Sequence, residues 1–90
     1  MSPDAVRVLE VAAVFDGLFS VDDVAEVLGE PVGRVLPAVK EALDAELIVA
    51  RGELLAFHSH PARTALLAGM AEPIRRALHR QIGTVLLNRS

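Results

Sequence analysis

The chain has no cysteine, tryptophan or tyrosine, and its only aromatic residues are Phe15, Phe19 and Phe57. Without thiols there is no disulfide framework, no thiolate metal site and no cysteine nucleophile. The same absence sets the expectation of a cytoplasmic protein. Three phenylalanines are poor equipment for stacking on exposed bases. No uninterrupted apolar run approaches the roughly 18–20 residues of a membrane span, so no membrane partner is expected. Residues 1–4 lack a basic segment followed by an apolar one, and no signal peptide is expected there. Signatures of catalysis are missing too: there is no Walker-type glycine loop, no Gly-x-Ser-x-Gly and no His-Glu-x-x-His. The expectation is that these residues do not form an enzyme.

What is present is apolar and helical in character. Ninety residues allow one small domain, and 52% of them are apolar, mostly Ala, Val and Leu, which suits packed helices. The net charge of −3 hides an uneven distribution. Residues 1–57 sum to −7, with Arg7, Arg34, Lys40 and Arg51 against eleven carboxylates. Residues 58–90 sum to +4, with Arg63, Arg75, Arg76, Arg80 and Arg89 against Glu72 alone. The first two-thirds of the chain would therefore repel a phosphate backbone.

Helix signals follow one another in a definite order. Ser2-Pro3-Asp4 supplies an N-cap, a proline at the first helical position and an acid at the positive dipole end. Val6, Leu9 and Ala13 follow at helical spacing, widened by Val8, Val11 and Ala12, and the helix should stop after Phe15 at Asp16-Gly17. Leu18-Phe19 reads as a short extended link. Ser20 and Asp23 form a capping box that opens a second helix over 21–28, burying Val21, Val24 and Leu28 or Val27, with Gly29 closing it. Pro31 opens a third helix, over 32–45, whose inner face should hold Val32, Val35, Leu36, Val39 and Leu43. Pro37 removes one backbone donor from it and crowds the carbonyl of Gly33, which predicts either a kink in the first turns, the preferred reading, or a start nearer Leu36.

Two apolar runs around a glycine, at 47–50 and 53–57, read as a β-hairpin whose loop holds Arg51-Gly52, with Glu53 as an optional third member. Ser59 and Pro61 start a fourth helix over 61–69. Glu72-Pro73 starts a fifth, with Ile74, Leu78, Ile82, Val85 and Leu86 on one face. A mainly α chain with a small β-hairpin, in the order helix, helix, helix, hairpin, helix, helix, has the plan of a winged helix-turn-helix with two appended helices. The expected organisation is a winged-helix domain over 1–70 and a C-terminal helix over 71–90.

In such a plan the third helix is the candidate for the DNA major groove. Its outward positions are expected to be Gly33, Arg34, Ala38, Lys40, Glu41, Asp44 and Ala45. Two cations there are offset by two anions, and no Asn or Gln is available to pair with adenine. The wing tip adds only Arg51, beside Glu53. Counterion release needs several phosphate contacts, so Arg34, Lys40 and Arg51 make DNA binding the alternative reading and protein contact the preferred one.

Few residues offer chemistry. His58 and His60 sit two apart at the junction of hairpin and helix, with no third or fourth metal ligand designated. His60 precedes Pro61 at a helix N-terminus, where backbone donors and the dipole favour an anion; the plainer reading is a capping or surface histidine. Asp22 and Asp23 are accounted for by the dipole of the second helix. Arg75, Arg76 and Arg80, with His79, give the last helix a basic face suited to an acidic neighbour, or simply to solvent.

The stretches Ser2-Pro3, Val8-Leu9-Glu10-Val11-Ala12-Ala13-Val14 and Phe19-Ser20-Val21-Asp22-Asp23-Val24-Ala25-Glu26-Val27-Leu28-Gly29 resemble the winged-helix segment of large ATP-binding LuxR-family transcriptional regulators. So do Val35-Leu36-Pro37-Ala38, Ala42-Leu43 and Leu55-Ala56-Phe57-His58-Ser59-His60-Pro61. Arg75-Arg76-Ala77-Leu78-His79-Arg80-Gln81-Ile82-Gly83 is similar to the start of the helical array that follows in that family. The individual motifs are loose, but their order spans nearly the whole chain. The resemblance implies an AAA-like signal-transducing ATPase module before this segment and helical repeats after it, both as partners within one chain. ADP or ATP is implied as the cofactor of that ATPase, not of these residues. It also implies that a histidine at the start of the helix after the wing touches the β-phosphate of bound nucleotide. His60 matches that position; Pro61-Ala62-Arg63 is one apolar residue short of the family's run, and the shifted register names His58 instead. The expected function is a regulatory module that relays nucleotide state through interdomain contacts. DNA binding through the third helix and dimerisation through the last helix are the alternatives.

Overall fold

A computed structural model describes residues 2–15 and 17–88. The elements are α1 (Pro3–Val14), α2 (Val21–Leu28), α3 (Val32–Asp44), β1 (Ile48–Arg51), β2 (Leu54–Phe57), α4 (His60–Ala68) and α5 (Glu72–Asn88). The chain is thus mainly α with one small hairpin: a three-helix core, a wing and two further helices. Among the described residues no helix is long and apolar enough to cross a membrane. Asp16, expected at the stop of the first helix, and residues 89–90 of the expected C-terminal segment lie outside the described residues.

The central element is α1, which touches α2, α3, α4, α5 and β2. Ser2 caps it by accepting the Ala5 amide at 3.1 Å. Ala5, Val8, Leu9 and the run from Val11 to Val14 are all buried. A helix apolar around most of its circumference belongs inside, and α1 is enclosed in this way along its second half. Val6, expected in the buried stripe, is 39% exposed, because the inward face runs through Ala5 and Val8 instead.

Ser20 caps α2 through the Asp23 amide at 3.0 Å. Gly29 ends it in the left-handed region at φ 70°, and the Glu30 amide reaches back to the Ala25 carbonyl at 3.0 Å. The same closure ends α3, where the Leu47 amide donates to Ala42 and the Glu46 amide to Leu43. There the left-handed residue is Glu46, at φ 61°.

The inner face of α3 is turned relative to the one expected. Val35, Ala38, Val39 and Ala42 are buried, whereas Val32 and Leu43 are only partly covered. Leu36, expected inside, is 48% exposed, and Ala38, expected outside, is 5% exposed. The helix is rotated so that Val35, Ala38 and Ala42 face α1, its most extensive helical neighbour, and Leu36 is carried round to the solvent side. Glu41, also expected outside, is half-buried and accepts the Ser2 amide at 2.8 Å. The helix runs on through Pro37, which sits on the exposed side, as does Gly33, whose carbonyl has lost its proline-side donor.

Strands β1 and β2 pair antiparallel, with Ile48 opposite Phe57 and Arg51 opposite Leu54. The two-residue loop is Gly52-Glu53, with Gly52 at φ 64°. Arg51 therefore belongs to the strand, and glycine occupies the first loop position, as two-residue hairpins of the II′ class require. Phe19 bridges to Leu55 through two backbone hydrogen bonds of 2.9 and 2.7 Å, so the extended link after α1 acts as a one-residue third strand.

Helix α5 folds back over α1 and α2, and its Ile82 and Val85 join the same hydrophobic cluster as α1. Ile74 (54% exposed) and Leu86 (46%), expected on that face, flank it and remain in solvent. A narrow inward strip suffices because α5 covers only the edge of an already closed bundle.

Candidate functional site

The expected anion-contacting histidine lies in a groove at the base of the wing. His60 is the first residue of α4, and it lines an open groove of about 310 Å³ together with Gly17, Leu18, Ala56, Phe57 and Arg63. His58 is exposed and is not among the residues lining the groove. Its amide donates to the Leu47 carbonyl at 3.0 Å and fixes the turn out of β2.

The helix terminus itself offers few free donors. Ser59 caps α4 by accepting the Ala62 amide at 3.3 Å, and Pro61 has no N–H to give. The sequence reading relied on backbone donors at this point; the cap and the proline remove two of them. The side chains that face the groove from α4 are His60 and Arg63, which stand one helical turn apart. Arg63 was not singled out by sequence. Its signal was there, as a cation three residues after His60 on the same helix face. Its guanidinium is partly engaged, since Nη2 donates to the Phe15 carbonyl at 3.3 Å.

Two of the three residues of the DNA-binding alternative have acidic side chains close by in the structure, and the third has one two positions away in the sequence. Arg34 lines a cleft of about 280 Å³ between α1 and α3, with Asp4, Arg7 and Glu30 on its rim and Val8 and Val35 on its floor. Lys40 pairs with Asp44 at 3.4 Å on the solvent side of α3. Arg51 is exposed near the wing tip, opposite Leu54 and close in sequence to Glu53. Between Arg34 and Lys40 the outer face of α3 presents Leu36 and Pro37, both exposed.

The basic face of α5 is also partly neutralised. Glu72 Oε1 meets Arg75 at 3.5 Å and Arg76 at 3.2 Å. Arg80 and His79 lie exposed one turn further on. Asp22 and Asp23 diverge, the first exposed and the second buried at 7%, so they do not converge on a common point. Among the described residues no group of three or more His, Asp or Glu side chains is placed to hold a metal ion.

Comparison of the chain with protein-family models, with curated proteins and with solved structures returns no match.

Proposed function

We propose that this chain is a regulatory winged-helix module acting through contacts with neighbouring protein domains, within a cytoplasmic ATP-binding transcriptional regulator of the LuxR type that its sequence resembles. In this reading the module senses the nucleotide state of an adjoining ATPase and passes it towards transcriptional output. Helical repeats on the other side would meet α5 and its Arg75, Arg76 and Arg80.

The outer face of α3 carries this reading. A helix that enters the major groove needs polar side chains for base edges and cations for phosphates. This one presents Leu36 and Pro37 at its centre, and its one lysine is tied to Asp44. Excess acid elsewhere in residues 1–57 adds repulsion. An apolar, charge-balanced face is suited to protein contact.

Two measurements test the proposal. Binding to mixed-sequence duplex DNA is expected to be weak at ordinary ionic strength. Micromolar or tighter binding with a steep salt dependence, reduced by Arg34→Ala and Lys40→Ala, would replace it with the DNA-binding reading. In the full-length protein His60→Ala is expected to loosen bound ADP; unchanged retention would remove the phosphate contact.

A further inference from the structure

We propose that the cleft between α1 and α3 is a binding site for a small zwitterion with an apolar body, of the class of the aliphatic α-amino acids. The cleft holds about 280 Å³, and Leu28, the last residue of α2, joins its lining. Pockets for drug-sized molecules begin at about 300 Å³, so the ligand that fills this one is smaller than those. Val8, Val35 and Ala38 make its floor, each no more than 5% exposed. Such a floor offers a hydrocarbon side chain a place out of water.

Four charged side chains stand around this recess. Asp4 and Arg7 reach it from α1, Arg34 from α3, and Glu30 from the link between α2 and α3. Among the described residues none of the four makes an ion pair or a side-chain hydrogen bond. Lys40, Arg75 and Arg76, by contrast, each hold a carboxylate. Unengaged charges of both signs around one apolar recess set the chemistry of the ligand. A guanidinium fork matches a carboxylate, and the two acids match an ammonium group. Phosphate or a nucleotide would meet Asp4 and Glu30 as like charges, and a simple amine would meet Arg7 and Arg34 in the same way. An uncharged hydrocarbon uses none of the four. An internal peptide segment lacks the adjacent ammonium and carboxylate that an amino acid carries. Direct pairing of Asp4 with Arg7, three residues on along α1, is an exposed contact of small strength, and it gives way to a ligand that engages both.

This site is separate from the groove of His60 and adds an effector to the interdomain reading. Titration of the intact chain with L-leucine should shift the amide resonances of Val8, Leu28 and Val35, with Kd of about 0.1–1 mM for a ligand of so few atoms. Isocaproate, which lacks the ammonium group, and isoamylamine, which lacks the carboxylate, should each bind about tenfold more weakly or worse. Arg34→Gln and Glu30→Gln should each weaken leucine binding by about fivefold or more, whereas Arg76→Gln, away from the cleft, should leave it unchanged. Neither Arg34 nor Glu30 has a side-chain partner within the described fold, so circular dichroism should show both variants folded. The proposal is overturned if leucine, isoleucine and valine all leave those resonances in place at about 10 mM. It is equally overturned if either analogue binds as well as leucine, or if both cleft variants bind leucine undiminished. Inorganic phosphate that shifts the same resonances more strongly than leucine would overturn it as well. ADP retention in His60→Ala reports on the groove and leucine binding on the cleft, so the two claims fail separately.

Discussion

Arg63 and Phe15, 48 residues apart, are joined by a hydrogen bond of 3.3 Å from the guanidinium to the main-chain carbonyl that follows α1. A cation at a helix C-terminus also meets the negative end of its dipole. The bond fastens α4, and with it the groove, to the central helix.

Removing that side chain should therefore loosen the wing base. Arg63→Ala is expected to cost about 1 kcal/mol, below the upper range for charged hydrogen bonds, because Nε is buried without a partner among the described residues and its removal offsets part of the loss. Urea denaturation checks the value, and an unchanged midpoint would show the bond to be idle.

Glu46 occupies a backbone conformation that glycine adopts more readily, at φ 61°. Its counterpart after α2 is Gly29. Glu46→Gly is expected to stabilise the domain by about 1 kcal/mol, after allowance for the added freedom of the unfolded chain. For a domain of this size that is a rise of about 4–8 °C in Tm. Calorimetry showing a fall would mean that the Glu46 side chain makes a contribution exceeding the backbone strain.

Glu41 links pH to stability. The hydrogen bonds it receives from Ser2 hold its carboxyl below the ordinary glutamate value, against a smaller opposing effect of desolvation. A depressed folded-state value means that the unfolded chain takes up the proton first as the solution is acidified. The stabilisation is complete above the unfolded value of about 4.3 and disappears as pH falls through the lower folded value. Glu41→Ala should lower Tm at pH 7 and converge with the parent protein in strong acid. Parallel Tm curves for the two proteins across that range would contradict the linkage.

Phe19 is the largest of the fully buried side chains and packs against Phe15 with ring centroids 6.1 Å apart. Phe19→Ala should cost about 3–5 kcal/mol, a large part of the about 5–15 kcal/mol that holds a domain together. Its near-ultraviolet and amide spectra should show a largely loosened wing and α1–α2 corner.

Much of this architecture was written plainly in local chemistry. Ser2, Ser20 and Ser59 announced three helix starts, and each accepts the amide three residues on. The glycine at position 52 announced the hairpin, and proximity along the chain told where both strands must lie. What periodicity could not settle was the rotation of α3. Leu36 and Ala38 differ by two positions, and size alone ranks leucine as the one to bury. The deciding factor was which side of α3 meets α1, a property of the assembled bundle. Leu36→Ser should accordingly change stability by less than about 0.5 kcal/mol, whereas Ala42→Leu, on the buried face, should cost about 1–3 kcal/mol through overpacking. Equal effects in thermal melts would restore the original orientation.

The candidate site was legible to a similar depth. His60 was visible as a helix-start histidine, but its surroundings come from three separate segments. Gly17 and Leu18 follow α1, Ala56 and Phe57 end β2, and Arg63 lies on α4. No spacing rule brings Leu18 beside His60; the Phe19–Leu55 bridge does so by drawing the α1–α2 link alongside β2.

That bridge also governs how the hairpin can respond to load. A wing hung from its two ends alone would swing on its hinges and dissipate any displacement of its tip. Stitched at Leu55 to the residue that leads into the Ser20 cap, this one has a third point of attachment, and any displacement of its tip is borne in part by the backbone at Phe19.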